Sequence, residues 1–541
     1  MNRKVGWLVG LLIGALSAVA LVALFFMGNA LASLPLVPFD IFDWIARVLP
    51  GNLITLGIDG IVRLIDTLNL GDTSRSAKLI EQLMAGGMIV AFGAAAGGVV
   101  SAVGRSAPQR APLVGALLGL VGFLFSWVAA ATIGFGANRL LSLLWLAVLW
   151  LGWGYLLGTA LQQVAQPRDA AQGHDRRTVL KWAAGSVAAA LLFGVVARRG
   201  NPSARSVADT TGDSATSAGD AVGAVTSGNG EATLWREATP PEALMARPEA
   251  VTGVRPELTP TDDFYRIDIN TRPQEIDVES WQLEVSGLFD AGRPLTLAAL
   301  KAYPAVTQPL TMSCISNRVG GDLIGTTLWT GLHLRDLLTD LGLQEEAQVL
   351  RIEGSDGFYE YVVRDDLMDE RTLLVYEMNG APLPVEHGAP LRIYIPNRYG
   401  MKQPKWITRI EALPEWEPGY WVTRGWSREA RPQIVSVIDT VNVGDMVDGV
   451  VPVGGIAWAG DRGIQKVEVQ VGNGPWEAAT LRKPPLSPLT WVQWRYDWKT
   501  ESGRYAIRVR ATDGTGTVQA KEIQGVRPDG ATGYHERQVR V

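Results

Sequence analysis

The sequence contains a single cysteine, Cys314, among 541 residues. One thiol cannot form a disulfide within the chain, and it cannot supply the several thiolates that an iron–sulfur cluster or a structural zinc site requires. Taken alone, Cys314 would be read as a small hydrophobic residue at the end of the apolar stretch 306–312. Any chemistry at this position must therefore use one sulfur atom.

Histidine is also scarce: the chain has His174, His333, His387 and His535. None of them lies in a long apolar run. A b-type haem held between helices commonly needs a pair of histidines. We therefore expect neither an intrinsic haem nor an iron–sulfur cluster. Basic residues form no stripe and the net charge is -5, which argues against binding to nucleic acid.

Long uncharged apolar runs are present in the first third of the chain. They cover residues 5–27, 83–103, 113–135 and 140–161. Each is long enough to cross a bilayer as a helix, and Gly, Ala and Ser within them allow close helix packing. These runs predict four transmembrane helices that form a bundle.

The segment 39–70 differs because charged residues interrupt its apolar residues at roughly helical spacing, with Pro50-Gly51 between two halves. This pattern indicates amphipathic helices that lie at the membrane interface. An additional buried span is the alternative, and it would reverse the topology of everything that follows. With four spans before residue 165, the basic residues near the ends of the spans all lie on one side of the membrane, which we expect to be the cytoplasmic side. These residues are Arg3, Lys4, Arg105, Arg110, Arg168, Arg176 and Arg177.

Polar and small residues follow the cysteine. Asn317-Arg318 and Gly320-Gly321 bring a guanidinium and exposed backbone amides near the sulfur, which favours a thiolate and bound oxyanions. A thiolate can serve as a nucleophile or as a soft metal ligand. Together with the run 325–338, the stretch 314–321 resembles the molybdopterin-dependent sulfite oxidase family. The resemblance implies that the Cys314 sulfur binds molybdenum.

The resemblance covers about residues 255–425. His387 in a turn and Arg392 at the start of the next strand form a pair that suits a phosphate group. The resemblance places two lysines, Lys402 and Lys405, where the family binds the same phosphate, although Lys402 alone would be read as part of a solvated basic loop. The resemblance implies a molybdenum–molybdopterin cofactor held by Tyr265, Arg266, His387, Arg392, Gln403 and Lys405.

The chain departs from the family pattern beside the cysteine. Sulfite oxidases carry adjacent arginines there, whereas Arg318 is followed by Val319. The substrate pocket therefore has one positive charge fewer for a sulfite dianion. Arg318 and Trp329 are candidate pocket walls, and Tyr359 or Tyr361 could supply a phenolic donor. We take Cys314, Arg318 and Tyr359 as the catalytic set.

The pair Arg176-Arg177, followed by Leu180 and Lys181, precedes the apolar run 182–196. It could be a charge anchor for a fifth span, but it also resembles an internal twin-arginine export signal. A domain that receives a large cofactor in the cytoplasm must cross the membrane folded, so we expect it outside the cell membrane. Residues 200–231, rich in Ser, Thr, Gly, Ala and Asp, predict a flexible linker.

From about residue 431, short alternating strands separated by turn residues predict an all-β sandwich, with strands at 432–438, 450–458, 464–471, 491–498 and 505–511. This part resembles the immunoglobulin-like dimerisation domain of the family, which implies a homodimer formed through it. The predicted architecture is a membrane domain (1–199), a linker (200–231), an α+β molybdopterin domain (232–425) and the sandwich (426–541).

Two functions are compatible with this architecture. The first is oxygen-atom transfer on a small oxo-anion or oxide, either sulfite oxidation or reduction of an S-oxide or N-oxide, with a separate electron-transfer protein. The second is a non-catalytic, membrane-tethered binding or assembly protein that has kept the fold. Cys314 together with the phosphate-binding set favours the enzyme.

Overall fold

The computed structural model describes residues 3–68, 70–134, 138–165, 222 and 232–541. These residues belong to two compact units. The helical unit falls within Met1–Pro50, Ser76–Asp213 and Ile269–Arg272. The β unit falls within Gly51–Arg75, Ser214–Asp268 and Pro273–Val541. The predicted twin-arginine motif, the fifth span and most of the linker lie outside the described residues.

Among the described residues before 166, the α-helices are α1 Arg3–Ala32, α2 Val37–Val48, α3 Gly51–Leu68, α4 Thr73–Ser106, α5 Ala111–Ile133 and α6 Arg139–Ala165. In the described part of the chain, α1, α4, α5 and α6 are long and apolar enough to cross a membrane. The four apolar runs are thus confirmed as long helices.

Small residues let α5 and α6 approach closely. A Cβ atom on Gly115 would lie 2.1 Å from the carbonyl oxygen of Gly154, and one on Gly154 would lie 2.2 Å from that of Gly115. Beside this contact, the indole Nε1 of the buried Trp150 donates a hydrogen bond of 2.7 Å to Ser126 Oγ. The packing role expected for small residues is confirmed here.

The segment 39–70 forms two helices, α2 and α3, which separate at Pro50 as predicted. Helix α2 buries Phe39 and Ile41 in the core of the helical unit. Helix α3 buries Ile65 and exposes a set of leucines: Leu53, Leu56, Leu64 and Leu68. Neither helix is among the candidate spans of the described chain. Their position at a membrane interface stays a prediction.

The β unit contains these strands among its described residues: β1 Ala232–Leu234, β2 Gln282–Gly287, β3 Leu295–Thr296, β4 Ala305–Ser313, β5 Ile324–His333, β6 Val349–Gly354, β7 Tyr359–Val363, β8 Leu373–Met378, β9 Ala381–Pro382, β10 Arg392–Tyr394, β11 Ile407–Leu413, β12 Val435–Val441, β13 Val450–Trp458, β14 Ile464–Val471, β15 Trp476–Ala478, β16 Thr480–Leu481, β17 Val492–Lys499, β18 Arg504–Asp513 and β19 His535–Arg540. Its short α-helices are α7 Pro241–Met245, α8 Leu297–Lys301, α9 Leu334–Asp340 and α10 Arg364–Met368.

Two mixed sheets form the part of the β unit that carries the predicted cofactor residues. One has the order β1-β4-β5-β8-β10, with β9 paired to β8, and the other has the order β3-β2-β11-β6-β7. Fully buried aliphatic side chains from both sheets, including Leu332, Leu350 and Ile410, share one core. Strand β4 is buried from Val306 to its end at Ser313, so the strand fixes the position of Cys314.

The C-terminal part consists of two four-stranded antiparallel sheets, β12-β13-β17-β16 and β15-β14-β18-β19. Both contribute to one apolar core, which contains Val451, Val467, Trp494 and Val509. The all-β architecture predicted from the alternating pattern is confirmed. The strands predicted at 450–458 and 464–471 have the bounds of β13 and β14.

Candidate active site

Cys314 follows the last residue of β4 and is 7% exposed. Its backbone N–H donates to the carbonyl of Leu323 at 2.9 Å, and its Sγ lies 3.0 Å from Ser316 Oγ. Burial raises the pKa of the Cys314 thiol, and the hydrogen bond to Ser316 opposes this with a smaller effect. The expectation that neighbouring groups favour the thiolate is therefore wrong for the chain alone. A coordinated metal ion would supply the missing stabilisation, because it deprotonates a ligating thiol.

Tyr265 and Arg392 lie close to the cysteine. Burial raises the pKa of Tyr265, and the charge of Cys314 adds to this while Arg392 opposes it. Arg392 donates from Nη1 to the carbonyl of His387 at 3.0 Å and from Nη2 to Met312 Sδ at 3.2 Å. Its guanidinium also lies 4.8 Å from the centre of the Trp329 ring. Strand β10 therefore places a buried cation beside the end of β4.

A second group of charges surrounds His387. Arg266 Nε and Lys405 Nζ both contact Asp268 Oδ2, at 2.7 Å and 3.2 Å. Burial lowers the pKa of Lys405 to about 8; Asp268 opposes this shift, and Arg266 and Arg392 add to it. Burial and the charges of Lys405 and Arg392 lower the pKa of His387 to about 3. The cluster brings three cations against one carboxylate, which suits a bound phosphate.

Glycine is required at the turn that carries His387. Gly388 has φ of +112°, a backbone conformation that L side chains rarely adopt. A Cβ atom at this position would lie 2.9 Å from Lys405 Cβ. The His387-Gly388 turn and the Lys405 segment therefore pack directly against each other, and the N–H of Trp406 donates to the carbonyl of Gly388 at 3.2 Å.

Several buried polar atoms in this region have no hydrogen-bond partner among the described residues. They are Tyr265 Oη, Arg392 Nε, Gln403 Oε1 and Trp329 Nε1. An unsatisfied buried polar group costs about 1–3 kcal/mol, so such atoms mark a place where a polar ligand fits. Together with the excess of positive charge, they fit a large phosphorylated cofactor bound next to Cys314.

The other two predicted catalytic residues are Arg318 and Tyr359. Arg318 is exposed and lines a cleft together with Val319, Ile324, Val435 and Gln519. Tyr359 belongs to β7 and packs edge-on against Tyr361 and Tyr420. Its catalytic role stays a prediction.

The environment of Lys402 differs from the one predicted from the sequence, and Asp268 was not predicted at all. Lys402 is 6% exposed, and its Nζ lies 3.0 Å from Oε1 of the fully buried Glu360, so the reading as a solvated loop is wrong. Asp268 was not predicted as a site residue, although it joins Arg266 to Lys405. Its spacing of two residues from Arg266 along an extended segment was the available signal.

The family model for the oxidoreductase molybdopterin-binding domain matches residues 270–421. The chain is 30% identical over 179 residues to the uncharacterized oxidoreductase YuiH of Bacillus subtilis, covering 33% of this chain and 88% of that protein. It is 27% identical over 342 residues to the mitochondrial sulfite oxidase of Drosophila melanogaster, covering 52% of this chain and 59% of that enzyme.

A third relative has a different described role. The chain is 27% identical over 187 residues to a putative protein-methionine-sulfoxide reductase subunit, YedZ1, of Azospira oryzae, covering 35% of this chain and 64% of that protein.

The match to the molybdopterin-binding model spans the His387, Arg392 and Lys405 cluster and includes Cys314. The chain therefore belongs to the sulfite oxidase family of molybdopterin-dependent oxidoreductases.

Proposed function

We propose that this protein is a membrane-anchored molybdenum oxidoreductase that transfers one oxygen atom and two electrons on a small oxo substrate. In one direction, sulfite and water give sulfate, two electrons and two protons. In the other, an S-oxide or N-oxide with two electrons and two protons gives the reduced compound and water. The observation that carries the proposal is the buried Cys314 beside buried cations and unpartnered polar atoms.

The binding roles follow from the contacts. Cys314 would be the protein ligand of the metal, and the cluster of His387, Arg392 and Lys405 would hold the phosphate. Tyr265, Arg266 and Gln403 would contact the rest of the cofactor. When bound, the molybdenum centre supplies the site at which the oxygen atom and the electron pair are exchanged. Burial of Cys314 and Arg392 keeps water from this region and strengthens each charge interaction.

The cleft beside Arg318 supports the substrate class. Arg318 offers a cation to an oxo group, while Val319 adds an apolar side chain to the same cleft. A neutral sulfoxide needs only a hydrogen-bond donor for its oxygen, whereas a sulfite dianion benefits from each additional cation. We therefore propose that a neutral S-oxide or N-oxide is a better substrate than sulfite. The Azospira relative, described as a putative sulfoxide reductase subunit, agrees with this choice.

The four apolar helices support the membrane anchor. We further propose that the cofactor domain lies on the extracytoplasmic side after twin-arginine export and exchanges electrons with a separate protein. The C-terminal sheets would form an immunoglobulin-like sandwich that mediates dimerisation. Their two-sheet architecture with one shared core supports that assignment.

Full-length protein expressed with cofactor synthesis intact tests the proposal. It is offered methionine sulfoxide with an artificial electron donor, and sulfite with an artificial acceptor. We expect turnover of the sulfoxide with a higher kcat/KM than that of sulfite, and loss of both in Cys314→Ala. Molybdenum-loaded protein that turns over neither, across a panel of S-oxides and N-oxides, would favour the non-catalytic tether instead.

A further inference from the structure

Three consecutive residues at the start of α4 belong to the β unit: Thr73, Ser74 and Arg75. Helix α4 has 34 residues and is one of the helices long and apolar enough to cross a membrane. The first turn of α4 contacts two segments that carry predicted cofactor residues, one around Arg266 and one after Cys314.

Ser74 holds the segment that carries Arg266. Its hydroxyl donates to the carbonyl of Arg266 at 2.7 Å and accepts from the N–H of Arg266 at 2.9 Å. Ser74 is 4% exposed, so these two bonds are shielded from water. Arg266 in turn binds Asp268, which contacts Lys405. A single hydroxyl of α4 therefore fixes the backbone from which the Arg266–Asp268–Lys405 chain of contacts begins.

Thr73 holds the loop that follows Cys314. Its N–H donates to Asp322 Oδ2 at 2.8 Å, in the first turn of α4, where the helix dipole favours a negative charge. The next residue, Leu323, accepts from the N–H of Cys314 at 2.9 Å and donates to Asn317 Oδ1 at 3.0 Å. The bond to Thr73 thus restrains the same short loop that sets the backbone of Cys314.

Arg75 adds a weaker contact. Its Nη2 donates to the carbonyl of Asp262 at 2.6 Å, but the side chain is 65% exposed. Exposed charge contacts of this kind contribute little to stability. The contacts expected to hold the two loops are therefore the buried hydrogen bonds of Ser74 to the Arg266 backbone and the hydrogen bond from the Thr73 N–H to Asp322.

We propose that Ser74 and Thr73 are positioning residues of the cofactor site, so that a candidate membrane helix also sets the geometry of both loops around the cofactor. The inference rests on the proposed function, because it requires that Cys314 and Arg266 contact a bound cofactor. Helix α4 would then position the cofactor site, a role that a helix serving only as a membrane anchor would not have. Replacing only the first turn of α4 should therefore change how the cofactor is held.

Cofactor retention in the full-length, cofactor-loaded protein tests the inference. Ser74→Ala removes both bonds to Arg266, and we expect it to lose molybdenum and pterin about tenfold faster during dialysis, since each hydrogen bond contributes modestly to stability. Ser74→Thr keeps the hydroxyl and should restore retention. Ser280→Ala is the matched control, because Ser280 is exposed and its hydroxyl contacts only Asp277 among the described hydrogen bonds.

Asp322→Ala provides a second route if Ser74→Ala fails to fold, since Asp322 is exposed and its replacement should be tolerated. We expect altered electron paramagnetic resonance of the partly reduced protein in Asp322→Ala, with an unchanged thermal melting temperature. Retention and resonance identical to the parent protein in the folded variants would overturn the inference alone. A parent protein without molybdenum would instead overturn the proposed function.

Discussion

His387 allows a quantitative test of the buried cation cluster. Its pKa falls from an ordinary 6.5 to about 3 through burial and the charges of Lys405 and Arg392. Between these two values the unfolded chain binds more protons than the folded one, so the free energy of unfolding decreases as the pH falls. From pH 7 to pH 5 this single group should remove about 2 kcal/mol of stability.

The measurement compares cofactor-free parent protein with His387→Gln by thermal unfolding in detergent at pH 7 and pH 5. An unfolding entropy of about 2.1 cal/mol/K per residue over the roughly 310 residues of the β-rich part converts 2 kcal/mol into about 3 °C. The parent should therefore lose about 3 °C more than the variant over this interval. Burial also lowers the pKa of His535, but that residue is present in both proteins and its effect cancels.

Bound cofactor should change this result in a defined way. A phosphate next to His387 favours its charged form and raises its pKa, so the difference between parent and variant should shrink in cofactor-loaded protein. An equal pH dependence of parent and variant in the cofactor-free state would refute the reasoning. It would mean that His387 is not a buried neutral group surrounded by cations.

Three further predictions concern substrate, export and electron transfer. Val319→Arg should raise kcat/KM for sulfite by about tenfold relative to methionine sulfoxide, because it adds a cation to the cleft beside Arg318; an unchanged ratio would place the substrate elsewhere. Replacing Arg176 and Arg177 with lysine should leave the cofactor domain untranslocated, and unchanged protease accessibility in right-side-out vesicles would contradict export by the twin-arginine route. The purified chain should show no stoichiometric, redox-active haem band in its absorption spectrum, and such a band belonging to this polypeptide would mean that electrons do not require another protein.

The strands that the sequence predicted best are those with a local apolar pattern. Strand β14 has one face in the core, so Val467, Val469 and Val471 alternate with polar residues and the bounds of the strand follow from the pattern. Strand β13 is buried on both faces from Val453 to Trp458, so a continuous run of apolar and small residues marks it instead. Strand β19 was not predicted because its residues 536–538 and 540 are exposed and are charged or polar. An edge strand of this kind carries little periodicity, although β18 pairs with it over six residues.

Site residues, like strands, were predicted from the sequence only where a local pattern marks them. His387 and Arg392 are five residues apart, so a short motif could reveal them, and the structure brings them together. Asp268 lies 137 residues from Lys405, and no local pattern indicates that they meet. The prediction that neighbouring groups favour the Cys314 thiolate was also wrong, because the sulfur is buried and burial raises the pKa of the thiol. The sequence around the cysteine does not show how deeply the fold buries it.

The central claim is that Cys314 and the cation cluster hold a molybdenum cofactor. Molybdenum and pterin analysis of the full-length protein, purified from cells with intact cofactor synthesis, tests it most directly, with Cys314→Ala and Lys405→Met as variants. We predict one molybdenum per chain in the parent, a changed metal environment in Cys314→Ala by X-ray absorption, and reduced cofactor content in Lys405→Met. A parent protein without molybdenum, or a Cys314→Ala variant with the same metal environment and activity, would contradict it.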